Sequence, residues 1–481
     1  MSGPSGPPIV SVTGGADGIE ARYTDIEHLA ALFENAGDGL RHDAWEDKAL
    51  ALNGDLLESS ILSPGSFADA EGAVIAATVG PHGLAFRAVG MEADALSMQV
   101  SVGLLRASDD LARQAMEVLD YGAGYLLGAS LPLLGLAGLL GGTALILGNP
   151  ALAAYLAAHP EAREALLDGA VEDLEGFLED HPDLVQHLVN GGGGLIDGLL
   201  GDLPPAVREA LLDELGLDPF HGTTNDAAGD LAGLFGDTEV SVTPGAVDPR
   251  DLSAPGSLEQ LLDNLGLTNT GADGEIDIQR IGDGDDARYI VNLPGTDSWG
   301  DDAGDARDLT GNLQLVAGQD TAYTRGIMEA RAAAGIPPGA PVMLVGHSQG
   351  GMAAAHLAAD PDFQGGYDVQ HVVTAGSPTA QVPHIPSNTQ VLSLENSGDL
   401  VPLTDGEDNP DEPNRTTVVF DGRTGSIGEN HSMDTYSAGG AAVDASDDPS
   451  INHALDALRE DGFLGSDDST STQSYTIARE P

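Results

Sequence analysis

The sequence predicts an α/β domain in its C-terminal half, a largely parallel sheet with flanking helices, preceded by a mostly α-helical N-terminal part. Three observations predict it. Short β-rich runs at 287–293, 342–345, 371–374, 390–395 and 416–420 alternate with helical stretches. Strands that alternate with helices pair in parallel under helical cover on both faces. The apolar run Val342 to Val345 ends at Gly346-His347-Ser348-Gln349-Gly350-Gly351, and small apolar residues follow at helical density. Before residue 120, by contrast, apolar residues recur at steps of three and four.

Bulk composition sets the frame. A chain of 481 residues exceeds one core by the usual domain sizes, so two or three domains are expected. Hydrophobic residues make up 41% and aromatics only 4%, so the cores must be built from Ala, Leu, Val and Gly. The formal net charge is -59, and Lys48 is the sole lysine. Such a field repels phosphate backbones and anionic bilayers, which argues against nucleic-acid partners. There is no cysteine, hence no disulfide, thiolate nucleophile or Cys-ligated zinc. The N-terminus has neither a basic stretch nor an apolar one, so no cleavable signal peptide is expected.

Residues 1–20, rich in Gly, Pro and Ser, are expected to be flexible. Ile26, Leu29, Leu32, Phe33, Leu40, Trp45, Leu50 and Leu52 mark a first helix from Thr24 to Leu52. A second runs from Phe67 to about Asp120, broken near Gly80-Pro81-His82-Gly83, and the two form a helical hairpin. Between Asp120 and Glu161 there is no charged residue. Its apolar centre, 125–147, is long enough to cross a bilayer, but Pro132 and many glycines favour burial against the first two helices; both readings, membrane contact and core, stay open. Residues 151–218 carry a degenerate repeat, with His159-Pro160-Glu161 echoed by His181-Pro182-Asp183, and read as a helical spacer. His159, His181 and His187 are read as solvated or capping residues, not ligands. A Gly-, Asp- and Pro-rich connector spans 219–273.

From Glu275 the period becomes two. Residues 275–281 and 287–293 are strands joined by the turn Gly282-Asp283-Gly284-Asp285-Asp286. Leu315 to Ala334 reads as one helix. The expected division is a hairpin (1–120), an apolar Gly-rich segment (121–150), a spacer (151–218), a connector (219–273), a catalytic domain (274–465) and a disordered tail (466–481).

Gly346 to Gly350 fits Gly-x-Ser-x-Gly in a strand–turn–helix context, which makes Ser348 the candidate nucleophile. A serine hydroxyl needs a base, and the base an orienting carboxylate. Asp399, after the strand 390–395, is the favoured acid over Asp405, Asp408 and Asp411, which lie in an acidic loop that reads as solvated. His431 is the favoured base. His347 lies within the turn itself, His371 and His384 precede Asp399, and His453 sits in an acidic terminal stretch. Thr296, after the strand 289–293, and the N–H of Gln349 are the candidate oxyanion donors. The Asp-rich loop 405–412 lacks a calcium-loop spacing, so no metal and no cofactor is expected.

With these motifs in place, residues 275–440 resemble a class 3 (fungal-type) lipase domain of the α/β-hydrolase superfamily. The resemblance rests on Gly295-Thr296, Gly346-His347-Ser348-Gln349-Gly350-Gly351, Asp399-Leu400-Val401-Pro402, and His431 followed by Tyr436. Pro294 stands where that family often has Arg. The resemblance implies an α/β-hydrolase-type sheet, short and compact here, a lid at 298–315, and a serine esterase acting on lipid or acyl esters. Residues 23–120 resemble the WXG100-like helical hairpins of actinobacterial type VII secretion substrates, with Trp45 near the end of the first helix, although Ala44-Trp45-Glu46-Asp47 lacks the glycine. That resemblance implies contact with a secretion machinery and an extracellular or cell-surface location reached by a non-classical route.

Overall fold

The structure, a computed structural model, describes residues 6–50, 63–79, 82–103, 105–106, 224–233, 239–250, 252–297, 304–466 and 468–480. The expected apolar segment 121–150, its centre 125–147, the spacer 151–218 with His159, His181 and His187, and residues 298–303 of the expected lid lie outside these. Two compact units are present: Ile19–Gln114, and a second made of Met1–Gly18 together with Ala115–Pro481.

The second unit contains one nine-stranded mixed sheet. Its strands are β1 (Ile9–Gly14), β2 (Val240–Val247), β3 (Glu275–Ile281), β4 (Arg288–Leu293), β5 (Pro341–His347), β6 (Asp368–Ala375), β7 (Gln390–Asn396), β8 (Arg415–Phe420) and β9 (Thr470–Arg479). Their spatial order is β1-β8-β7-β6-β5-β4-β3-β9-β2. The central strands β4 to β8 pair in parallel. β1, β3, β9 and β2 add antiparallel partners at the two sides.

The parallel strands are apolar on both faces because both are covered. In β5, Val342 and Leu344 enter one core and Met343 and Val345 the other. The first core includes Tyr323, Ile327 and Met352; the second includes Leu258, Tyr436, Val443 and Ile451. The sheet is therefore a buried layer between two helical layers.

Several expectations change. Residues 466–481 are not a disordered tail: β9 lies inside the sheet, paired with β3 on one side and β2 on the other. Residues 219–273 are not a mere connector, since they hold β2 and a buried helix, Leu258–Asn269, whose Leu258, Leu261, Leu262 and Leu265 are core residues. Residues 9–14 are not flexible but form β1 against β8. The sheet domain is thus neither short nor confined to 274–465. Its first two strands stand at opposite edges of the sheet, and the helical unit is inserted between them in sequence rather than preceding the domain. The single helix 315–334 is two helices, Leu309–Val316 and Ala322–Ala333, parted at Gly318, whose φ of +68° ends the first.

In the helical unit, α1 (Ile19–Leu50), α2 (Pro64–Thr78) and α3 (84–103) fall where helices were expected, while the expected turn at 53–62 and the expected second helix beyond residue 106 lie outside the described residues. Ala30, Gly37 and Ala44 on α1, and Ala88, Ala95 and Val102 on α3, recur at seven-residue spacing and are all buried. The close approach is required, because a Cβ on Gly37 would lie 3.1 Å from the Ala88 carbonyl oxygen. Ion pairs of Arg41 with Glu92 and of Arg106 with Glu20 and Glu27 fix the antiparallel register. Trp45 is exposed.

Candidate active site

The candidate residues converge at the C-terminal ends of the parallel strands, where open α/β sheets bind their ligands. Ser348 follows β5 directly and precedes the helix Gln349–Ala359. Its φ is 55° and its ψ is -125°, a left-handed conformation that costs a non-glycine residue about 1–3 kcal/mol. Packing holds the strain in place. The Ser348 N–H donates to the Ala375 carbonyl at 3.0 Å, while the Gly351 and Met352 N–H groups donate to the Ser348 carbonyl. Gly350 must be glycine: a Cβ there would sit 1.9 Å from the Leu293 carbonyl oxygen, at the end of the neighbouring β4.

Asp399 follows β7 and is 2% exposed. Its Oδ2 lies 2.6 Å from His431 Nδ1. The same oxygen accepts from the Tyr436 hydroxyl at 2.7 Å, and Oδ1 accepts from the Val401 N–H at 3.0 Å. The Tyr436 hydroxyl itself accepts the Asn396 N–H at 3.2 Å, so its one proton points to the carboxylate. Burial and the Asp399 carboxylate push the Tyr436 hydroxyl well above its ordinary value, so it stays a donor. A carboxylate that only accepts places the imidazole proton on Nδ1, which leaves the lone pair on His431 Nε2. Two buried amides tie the loops together. Asn396 donates to the Asn430 carbonyl at 3.0 Å, and Asn430 donates to the Gly398 carbonyl at 2.8 Å.

His347 joins the Ser348 turn to this pair. Its Nε2–H donates to the His431 carbonyl at 3.0 Å, and the two rings lie 4.5 Å apart. Burial, then the neighbouring His431, lowers its pKa well below the ordinary imidazole value, so the ring is a neutral support. No hydrogen bond joins Ser348 Oγ to His431 among the described residues; such bonds commonly tighten only in a substrate complex.

Gln349 follows Ser348 directly at the start of its helix, and Thr296 follows Gly295 on a neighbouring loop. A Cβ on Gly295 would lie 2.9 Å from the Ser348 Cβ, so the 294–296 loop runs directly against the serine. The Thr296 hydroxyl accepts from Asn312 Nδ2 at 3.0 Å. Gln349 is the first residue of its helix, so its N–H has no intrahelical acceptor. Its side chain donates to the Asp308 carbonyl at 2.9 Å.

The rival residues stand elsewhere. His371 pairs with Asp461 at 2.7 Å near the start of β6, His384 with Glu412 at 2.9 Å, and His453 is exposed on the helix Pro449–Glu460. Asp408 is exposed and Asp411 half-buried. Asp405, expected to be solvated, is instead 1% exposed, because its carboxylate accepts the Ala380 N–H at 2.7 Å and draws the loop inward. Burial pushes this carboxyl up to about 7, against the opposing pull of that N–H. The folded chain therefore keeps a proton there that the unfolded chain releases from about 3.8 upward, and stability falls as pH rises from about 4 to about 7. In Asp405→Asn that fall in melting temperature is expected to shrink in thermal denaturation across the window. Among the described residues, no group of three His, Asp or Glu side chains is placed to hold a metal ion.

Residues missed at the sequence level are Arg307, Asn312, Asn396, Asn430 and Arg479. Arg307 Nη1 donates to the Gly295 carbonyl at 3.0 Å, and Arg479 Nη2 donates to Asp308 Oδ1 at 3.1 Å. No local pattern marks them, since each partner is distant in sequence. No protein-family model, no curated protein and no solved structure matches this chain.

Proposed function

We propose that the protein is a serine hydrolase of carboxylic esters, with an α/β-hydrolase domain similar to class 3 (fungal-type) lipases, acting on lipid or acyl esters. The observation that carries the reading is the Asp399–His431 pair at 2.6 Å, set beside a serine held at positive φ between a parallel strand and a helix. The chain order Ser348, Asp399, His431 is that of α/β-hydrolases.

In the mechanism, His431 Nε2 takes the Ser348 hydroxyl proton as Oγ attacks the ester carbonyl. The oxygen that becomes negative lies against the N–H groups of Thr296 and Gln349. His431 then gives its proton to the departing alcohol, which leaves an acyl-serine. Water repeats the sequence: His431 takes its proton, the hydroxide attacks the acyl carbon, and Ser348 leaves with the proton returned. Asp399 keeps the imidazole in the productive tautomer and supports the imidazolium.

Covalent labelling tests this directly. A fluorophosphonate is expected to modify wild-type protein at Ser348, with the adduct mapped by peptide mass spectrometry, and to leave Ser348→Ala unlabelled. Labelling elsewhere, or none under native conditions, overturns the proposal. The membrane and secretion expectations stand apart from this chemistry. Among the described residues, no helix is long and apolar enough to cross a membrane.

A further inference from the structure

We propose that Arg307 and Arg479 are positioning residues for the oxyanion hole, Arg307 setting the Thr296 donor and Arg479 the Gln349 side. The inference rests on the hydrolase reading of Ser348 and deepens it.

Arginine is scarce in this chain, where Lys and Arg together number 18 against 77 Asp and Glu. Arg307 is 2% and Arg479 6% exposed. Burying a guanidinium is costly unless paired and hydrogen-bonded, so its placement is informative. Arg307 pairs with Asp297 and donates through Nη1 to the Gly295 carbonyl at 3.0 Å.

That carbonyl belongs to the same peptide unit as the Thr296 N–H. The unit is planar and trans, so its C=O and N–H point in opposite directions. Holding the Gly295 oxygen toward Arg307 aims the Thr296 N–H away from Arg307. A charged donor on the carbonyl also polarises the amide and makes its N–H a stronger donor. Further ties fix the loop around the same arginine. The Asp297 N–H donates to the Arg307 carbonyl at 3.0 Å, the Gly274 N–H donates to Asp297 Oδ2 at 2.8 Å, and the Tyr323 hydroxyl donates to the Pro294 carbonyl at 3.2 Å.

The residue that carries the other donor is braced through its side chain. Gln349 anchors its side chain on the Asp308 carbonyl. Asp308 is held in turn by Arg479 Nη2 at 3.1 Å and by the Gly311 N–H at 2.8 Å, and Arg479 Nε donates to the Asp305 carbonyl at 3.0 Å. Arg307, 12 residues on from Gly295, thus supplies a buried cation beside the loop that carries Thr296.

The test separates positioning from simple loop closure. Arg307→Lys keeps the charge and loses the fork that reaches Asp297 and Gly295 together. Active sites are first counted by fluorophosphonate titration, so that rates refer to folded protein. With a short soluble ester, kcat is expected to fall roughly a hundredfold while KM stays within about threefold, the size of one lost oxyanion donor. A trifluoromethyl ketone, which forms a tetrahedral oxyanion on the serine, should lose affinity by a similar factor. Arg479→Lys is the second variant and should show the same pattern more weakly. If both variants titrate fully and keep wild-type kcat and ketone affinity, or lose only KM, the inference is overturned and the hydrolase reading stands. If the wild-type protein does not titrate at Ser348, the hydrolase reading falls and takes the inference with it.

Discussion

Ser348→Ala is expected to lower ester turnover by roughly four to six orders of magnitude while far-ultraviolet circular dichroism and melting temperature stay near wild type. One oxygen is removed, and alanine meets the same backbone strain at φ 55° that serine already bears, so the folded state loses little. Asp399→Asn should cost roughly ten-thousandfold, because an amide facing His431 Nδ1 no longer fixes the proton there. The three side chains act on one proton path, so their losses do not add. The double variant Ser348→Ala with Asp399→Asn should turn over ester no more slowly than Ser348→Ala alone, within the error of the assay. Initial-rate measurements with short p-nitrophenyl esters check each value. Substantial turnover in Ser348→Ala, or a further large loss in the double variant, would show that the hydroxyl is not the attacking group.

The parts of this site that were legible in the sequence share a local signal. Val342 to Val345 is an apolar run, Gly346 and Gly350 mark a turn where side chains cannot fit, and the helix after Ser348 is dense in alanine. Asp399 and His431 were readable because a strand precedes each loop. The bracing residues were not, since their meaning depends on partners far along the chain: Arg479 meets Asp308 171 residues away. Asp405 misled because an acidic loop is usually solvated, and partners about 25 residues upstream, the Ala380 N–H on its carboxylate and the Gln381 side chain on its carbonyl, help hold it inside. The edge strands failed for another reason. β1 opens just after Gly-Pro-Pro, and β2 contains Pro244, which is tolerated because β2 is an edge strand. β9 reads Thr-Ser-Thr-Gln-Ser-Tyr-Thr-Ile, so polar that composition suggested a tail. Its threonines are β-branched, however, and two neighbouring strands supply the order that the segment cannot supply alone.

That last strand gives the second large effect. A chain ending at Gly465 is expected to lose cooperative folding altogether. β9 is hydrogen-bonded to β3 from Thr470 to Thr476 and to β2 on its other side, so its removal strips β3 of a partner and leaves β2 with none. Tyr475 and Ile477 are 3% and 1% exposed, and burial of two such side chains contributes about 3–6 kcal/mol. Ile477 packs so tightly on the helix Ala322–Ala333 that a Cβ on Gly326 would lie 2.1 Å from it. Backbone ladder bonds add about 1 kcal/mol each, and the total approaches the whole stability of a typical domain, about 5–15 kcal/mol. The exposed edge of β3 would also template aggregation. The shortened chain should therefore appear in the insoluble fraction, and any soluble part should show no thermal transition by circular dichroism. Ile477→Ala provides the graded control, with an expected loss of about 2–5 kcal/mol in denaturant unfolding and turnover retained in the folded fraction. A soluble chain ending at Gly465 that melts like the full protein would mean that β9 is not part of the sheet in solution. The brace that Arg479 provides to Asp308 would then have to come from elsewhere.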